Sequence, residues 1–418
     1  MKRFLLHLII LVVLSWSLPV RAVGQTEAGT DSVASEVSSE GQTEAPHDSI
    51  RFSLLTCAPG SAIYTLFGHT AIRFENMTQQ VDLVFNYGMF NFNTPHFIYR
   101  FVKGETDYEL GVVPYVYFAQ EYYNRGSYVI QQELNLKYKE KLQLMSILNE
   151  NYQPENRVYR YNYFYDNCTT RARDKIEQVL NYDLYYMRND TMRSFRSVIH
   201  EYTAGHPWSE FGIDFLLGAE ADKPVDQIKQ MFVPFGLMRS SETAFIVDRE
   251  NYDEVRPYVI SETRIVDPPA REVEKEFPIT PMQAGWGLFV LIALICWFER
   301  RLNRYFWGLD VLLFGAQGVA GCIIAFLFFF SVHPTVDSNF LIIPFNPLPL
   351  LYLPIMIARH IKGKRDSYYV ISGAIVLLFV LCWPIIPQKI NPAILPLALC
   401  LLLRSVTHKI IVYRKLLK

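Results

Sequence analysis

The sequence predicts an α+β domain outside the cytoplasm followed by an α-helical membrane bundle, and three observations predict it. A positively charged start leads into an apolar run; strand-like alternation fills much of the first two-thirds; long aliphatic stretches separated by basic loops fill the last third. The 418 residues are 50% hydrophobic with a formal charge of −1, which argues against nucleic-acid binding by charge and against disorder throughout.

At the N-terminus Lys2 and Arg3 precede "FLLHLIILVVLSWSL", and Val20-Arg21-Ala22 offers a small-residue cleavage pattern. Residues 1–22 read as an export signal, with an uncleaved anchor helix as the alternative. Residues 23–50 are rich in Ser, Glu, Thr and Gly, with almost nothing to bury, and read as a disordered tether. Residues 51–278 form the extracytoplasmic domain. "SLLTCAPG" ends in a Pro59-Gly60 turn, and a short helix is expected over Ser61–Phe67. From His69 the chain alternates, with Thr70, Ile72 and Phe74 on one face and His69, Ala71, Arg73 and Glu75 on a polar one. Further strands are expected at Gln80–Gly88, Tyr108–Pro114 and Ser127–Leu136. Lys137–Asn151 reads as a helix with Leu142, Met145, Ile147 and Leu148 on its apolar side. A second helix follows Cys168 and ends at Asn181.

Residues 279–418 are the membrane domain. Five apolar stretches are expected to cross: Ile279–Phe298, Tyr305–Val332, Phe340–Ala358, Tyr368–Ile386 and Asn391–Val406, the last being the shortest. "ERRLNR" after the first, "RHIKGKR" between the third and fourth and the basic tail after the fifth fall on one side. The positive-inside rule makes that side cytoplasmic and puts the domain outside, in agreement with the export signal. Asp310 and Gln317 are polar for a span; Asp310 is expected near the cytoplasmic interface beside Arg304. Five residues of the third stretch (Pro344, Asn346, Pro347, Pro349, Pro354) suggest a broken or re-entrant segment.

Of six cysteines, Cys57 and Cys168 alone lie outside the apolar segments. Cys168 stands where the extended "YDN" becomes a helix. Free N–H groups, the helix dipole, Arg171 and Arg173 would all favour a thiolate there. Such a thiolate is the nucleophile of papain-like enzymes and needs an imidazole, for which His69 is the best candidate. A lone strand histidine is ordinarily a packed one. The Gly-His and Asn-Cys pair in this order points instead to catalysis. A Cys57–Cys168 disulfide, a buried structural Cys57 and a second thiol near the site are all open to Cys57. No compact ligand spacing, Gly-x-Ser-x-Gly elbow or phosphate loop appears, so no metal or cofactor is expected.

"FGHTAIRF" followed by "YDNCTTRARD" resembles the circularly permuted NlpC-like branch of the papain superfamily, to which lecithin:retinol acyltransferase belongs. More closely, "LLTCAPGSAIYTLFGHTAIRF", "FNYGMFNF", "YNYFYDNCTTRARD" and "LLGAEADKP" resemble the Lnb family of Bacteroidetes lipoprotein N-acyltransferases. The resemblance implies a permuted NlpC/papain-like thiol domain and a catalytic pair of Cys168 and His69. It implies diacylated lipoproteins and phospholipids as partners, without nucleic acid. It also implies a multi-pass protein of the bacterial inner membrane, with a periplasmic catalytic domain and a cytoplasmic C-terminus. Within that scheme Asn86, with Glu75 behind it, is expected to orient the imidazole. The Cys168 N–H and Tyr163 would hold the oxyanion, and Asn167 beside the nucleophile is a further candidate. A cell-wall peptidase or amidase, and a non-catalytic membrane scaffold, are the competing functions.

Overall fold

The computed structural model describes residues 49–60, 65–90, 95–180, 183–188, 191–248, 254–269, 277–364 and 366–416. The expected signal peptide, nearly all of the tether and the start of the expected helix at 61–67 lie outside the described residues.

Seven strands build one antiparallel sheet: β1 (Ile50–Cys57), β2 (His69–Asn76), β3 (Val81–Met89), β4 (Asp107–Pro114), β5 (Val129–Leu134), β6 (Val158–Arg160) and β7 (Val259–Val266). Their spatial order is β7-β5-β1-β2-β3-β4-β6. All four strands expected after β1 form within a residue or two of their expected ends. β7 is an edge strand returning from just before the membrane segment, and its exposed residues include Glu262 and Arg264, which discourage further pairing.

Helices cover both faces. They are α1 (Phe97–Lys103), α2 (Tyr115–Asn124), α3 (Tyr138–Tyr152) and α4 (Cys168–Val179). Phe52, Leu54, Ile72, Phe74 and Phe85 pack with Leu144, Leu148 and Ile176 of α3 and α4. Leu55, Cys57, Ala71 and Val84 pack with Phe118 and Tyr122 of α2. Burying each large apolar side chain contributes about 1.5–3 kcal/mol. The face of β2 expected to be polar is therefore covered: Ala71 is fully buried, and Arg73 bonds Asp82 and Gln131 beneath the Tyr115 ring. On α3 the buried apolar pair is Leu144 and Leu148, one turn apart, while Leu142 faces outward and Met145 and Ile147 are only partly covered.

Then follow α5 (Phe195–Thr203), α6 (Pro207–Leu216) and α7 (Pro234–Glu242). The first two carry the junction with the membrane segment. Arg196 is fully buried and paired with Asp214 and Asp222, at 2.7 and 2.9 Å. The same carboxylates reach the loop 386–391: Asn391 donates to Asp214 and the Lys389 N–H to Asp222. Gln388 donates to the Leu217 carbonyl, and Asn339 to the Phe215 carbonyl. Gly218 has no room for a side chain, since a Cβ there would stand 2.4 Å from the Thr335 carbonyl oxygen. A charge buried like Arg196 is strongly destabilising once a partner is removed, by about 3–5 kcal/mol.

The bundle comprises α8 (Pro281–Leu302), α9 (Trp307–Phe330), α10 (Leu348–Ile361), α11 (Tyr368–Cys382) and α12 (Ile394–Leu416). Four apolar helices are long enough to cross a membrane: α8, α9, α11 with its 3₁₀ extension to Ile385, and α12. The third expected span is broken. A 3₁₀ turn at Phe340–Ile342 leads to the Pro-rich turn and to α10, whose 14 residues reach about 21 Å, short of the ~30 Å hydrocarbon core. Gln317 of α9 donates to the freed Pro344 carbonyl at 2.6 Å.

One expectation is refined here and another changes. Asp310 stands in the first turn of α9, at the end next to the basic segment, yet it is fully buried and bonded to other helices, to Arg404 at 2.7 Å and to Tyr369. Arg404, also fully buried, bonds Glu299 as well at 2.5 Å. A guanidinium within the bundle requires such counter-charges, because lipid supplies none. The last helix is also not the shortest, since it continues through its basic residues to Leu416.

Candidate functional site

The chain is bent before α4 by a small closed turn. The backbones of Asn162 and Asp166 bond each other in both directions, and the Asn162 side chain accepts from the Phe164 and Tyr165 N–H groups. Asn167 then caps the helix, its side-chain oxygen accepting from Thr169 and Thr170 N–H at 2.8 and 3.0 Å. Its amide donates to the Tyr163 and Phe232 carbonyls, so the cap is fixed from both sides. Cys168 is thereby the first residue of α4, half-buried, with its N–H outside the cap. Thr169 ties this end of the helix to β2 through the Thr70 hydroxyl, 3.0 Å away.

His69 opens β2 directly across from Cys57. Gly68 precedes it with φ +77°, and a Cβ there would meet the Cys57 carbonyl oxygen at 2.5 Å. Only glycine fits, which accounts for the Gly-His pair in the sequence. Asn86 of β3 accepts from His69 Nε2 at 2.5 Å, and its amide nitrogen faces Met89 Sδ at 3.5 Å. With Nε2 engaged, Nδ1 is the nitrogen left to receive a proton. The Cys168 thiol and the His69 ring lie close enough for each to shift the protonation of the other. They flank Gly88: a Cβ at that glycine would lie 3.6 Å from Cys168 Cβ and 3.9 Å from His69 Cε1.

Burial by itself would raise the Cys168 thiol, but the charge on His69 outweighs it. Bonds from His69, the Thr70 backbone N–H and the Thr169 hydroxyl assist, and the thiol is held at about 7. Burial lowers His69, and the thiolate charge with the bonds to Cys168 and Asn86 reverses this to a net rise. Each group favours the charged form of the other, an arrangement suited to a thiolate–imidazolium pair. Cys57 is a separate thiol and forms no disulfide.

The structure thus brings Cys168, His69 and Asn86 together and leaves the remaining candidates elsewhere. Glu75 does not stand behind Asn86; it lies at the far end of β2 against Arg73, at 3.1 Å, because the strand carries it about 20 Å away. The Tyr163 hydroxyl is committed to the Pro334 carbonyl at 2.7 Å and holds the membrane loop rather than an oxyanion. Asn167 positions the helix. Arg171 pairs with Asp166 over the Tyr159 ring and Arg173 with Asp174, so neither arginine activates the thiol. Sequence reading missed Thr70 and Thr169, which contact the thiol, and Tyr108 and Tyr161, which sense its charge. Adjacency to His69 and Cys168 was the available signal for the threonines; the tyrosines gave none.

Among the described residues, His200, Glu210 and Asp214 are close enough to hold a cation. Each already has a protein partner: His200 and Arg196 on Asp214, and Thr203 on Glu210. The cluster belongs to the junction.

No curated protein and no solved structure matches the chain. Residues 39–201 match the Lnb N-terminal periplasmic domain, and residues 272–416 match the Lnb transmembrane domain. These two stretches contain the thiol pair and the helical bundle respectively, and by them the chain belongs to the Lnb family, as a membrane protein whose periplasmic domain precedes a multi-span transmembrane region.

Proposed function

We propose that this protein is a thiol-dependent acyltransferase that moves an acyl chain from a membrane phospholipid to the α-amino group of a lipoprotein's lipid-bearing N-terminal cysteine. The Cys168–His69–Asn86 line, in a domain bonded to a membrane bundle, is the observation that carries the reading. The Cys168 thiolate attacks the ester carbonyl of the donor. The ester C–O bond breaks as the C–S bond forms, and the imidazolium gives its proton to the departing alkoxide. The lipoprotein amine then attacks the thioester, its proton passes to His69, and the C–S bond breaks to restore the thiolate. A thioester suits this second step because amines attack it more readily than an ordinary ester.

The Cys168 N–H, at the start of α4, is placed to receive the carbonyl oxygen in both steps. The Thr169 hydroxyl lies 3.9 Å from the sulfur and, with the Thr70 N–H, favours its thiolate. Both substrates stay in the bilayer, so a bundle that keeps the domain at its surface favours this chemistry over turnover of a soluble wall peptide. On this reading the protein belongs in the inner membrane with its C-terminus in the cytoplasm; in support, the junction and the basic segments at 299–304 and 359–364 lie at opposite ends of the helices.

The test is complementation. In a strain lacking such acylation, the full-length chain restores N-acylated lipoprotein termini by mass spectrometry, and Cys168→Ala does not. Restoration by Cys168→Ala would overturn the proposal.

A further inference from the structure

α1 has no buried residue, although its sequence is "FIYRFVK". Ile98, Tyr99 and Phe101 are about half exposed. An apolar helix left open in this way is unusual on a surface meeting water. It is bonded to the outer end of α9: the Val332 N–H donates to the Lys103 carbonyl at 2.9 Å, and His333 Nε2 to the Phe101 carbonyl at 2.7 Å. The Tyr99 ring meets Phe326, one turn inside that end, with centroids 5.9 Å apart. Phe329 and Phe330 beside it are exposed as well. The exposed face of α1 therefore continues the lipid-facing surface of a membrane helix.

On the domain side the row of rings continues inward, passing from the exposed Phe101 to the buried Tyr108. Phe101 stacks on Phe97 at 6.2 Å, Phe97 on Phe90 at 5.9 Å, and Phe90 lies 5.1 Å from Tyr108, which stacks on Tyr161 at 4.2 Å. Phe90 follows Gly88 by two residues, and a Cβ at Gly88 would lie 3.6 Å from Cys168 Cβ. Phe90, Tyr161 and Cys168 all lie on the partly exposed rim of the same core. Five rings thus link the bilayer edge to the thiol.

We propose that α1 is immersed in the outer leaflet and that this row of rings is the track along which one acyl chain of a glycerophospholipid leaves the bilayer to reach Cys168. The proposal rests on the acyl-transfer reading for its purpose but on ring geometry for its path. A phospholipid is the occupant because the track begins at the lipid-facing end of α9. Apolar rings give a withdrawn chain the contacts it loses on leaving the hydrocarbon.

The test uses the full-length Cys168→Ala chain in phosphatidylethanolamine vesicles doped with the same lipid bearing a terminal diazirine on one acyl chain. After irradiation, adducts are mapped by peptide mass spectrometry. The expected map includes Phe90 and Tyr161 in addition to α1 and the bundle. Phe97→Asp should reduce the inner adducts by more than about tenfold, because a carboxylate in an apolar path opposes the chain. Tyr99 should remain labelled. With Cys168 present, Phe97→Asp should keep the wild-type rate of alkylation by iodoacetamide, showing that the site is intact. Adducts confined to Ile98, Tyr99 and the bundle would overturn the track, and that map decides even if Phe97→Asp does not fold. Inner adducts without lipoprotein acylation by the wild-type chain would leave the track standing and remove the proposed function. Acylation without inner adducts would do the reverse.

Discussion

Two thiols sit close to one histidine in this domain and have opposite characters. Cys57 is opposite His69 in the β1–β2 register, yet it is fully buried among Leu55, Ala71, Val84 and Phe118, and burial pushes its thiol well up. Cys168 comes from a helix almost a hundred residues later, and His69 holds it at about 7. Strand neighbourhood therefore does not make a thiol reactive. What matters is which group the imidazole can face, and whether a charge formed there finds partners.

The comparison can be broken most severely at Cys168. Cys168→Ser should abolish measurable lipoprotein acylation in reconstituted vesicles, since a hydroxyl at an ordinary pKa is a far weaker nucleophile. Cys57→Ser should leave that activity intact, and wild-type loss there would show that the two thiols act together.

Next comes His69→Ala, expected to lower the rate by about 10²–10⁴ as general acid–base catalysis is removed. The same variant sharpens the comparison through pH. In the wild-type protein the alkylation rate of Cys168 should rise with pH through a midpoint near 7. Loss of the imidazolium removes what favours the thiolate, so the midpoint should move up, beyond the ordinary thiol value of about 8.5. An unmoved midpoint would show that His69 does not set the acidity.

Asn86→Ala should cost less, on the order of tenfold to a hundredfold, because it frees the ring without removing it. Its readout is the acylation rate together with a downward shift of the His69 titration followed by NMR. Smallest is Cys57→Ala, which should lower unfolding stability by about 1 kcal/mol with no change in the alkylation midpoint.

The strands and the catalytic candidates were legible for different reasons. β2 and β3 alternate clearly, and Gly68-His69 and Asn167-Cys168 mark a left-handed turn and a helix cap that local chemistry demands. Asn86 could be guessed because directly paired neighbouring strands bring fixed positions together. Glu75 could have been excluded from sequence, since six residues along one extended strand put it about 20 Å from His69. β7 and α5 to α7 went unread: their residues are explained by long-range partners, as Arg196 is by Asp214 and Asp222. The partner of Asp310 stayed hidden for the same reason, Arg404 lying on another helix. Local rules expose turns, caps and alternation; charges that find each other across the fold remain silent until the chain is closed.

The bonds joining α5 and α6 to the loops at 331–339 and 386–391 give the thiol a set altitude. A domain on a loose leash could sweep a volume and sample bonds at many distances from its anchor. In the proposed transfer this one would work more like a gauge: a reacting atom would meet Cys168 only if its own attachment presented it at that level, so selection by reach would precede selection by chemistry.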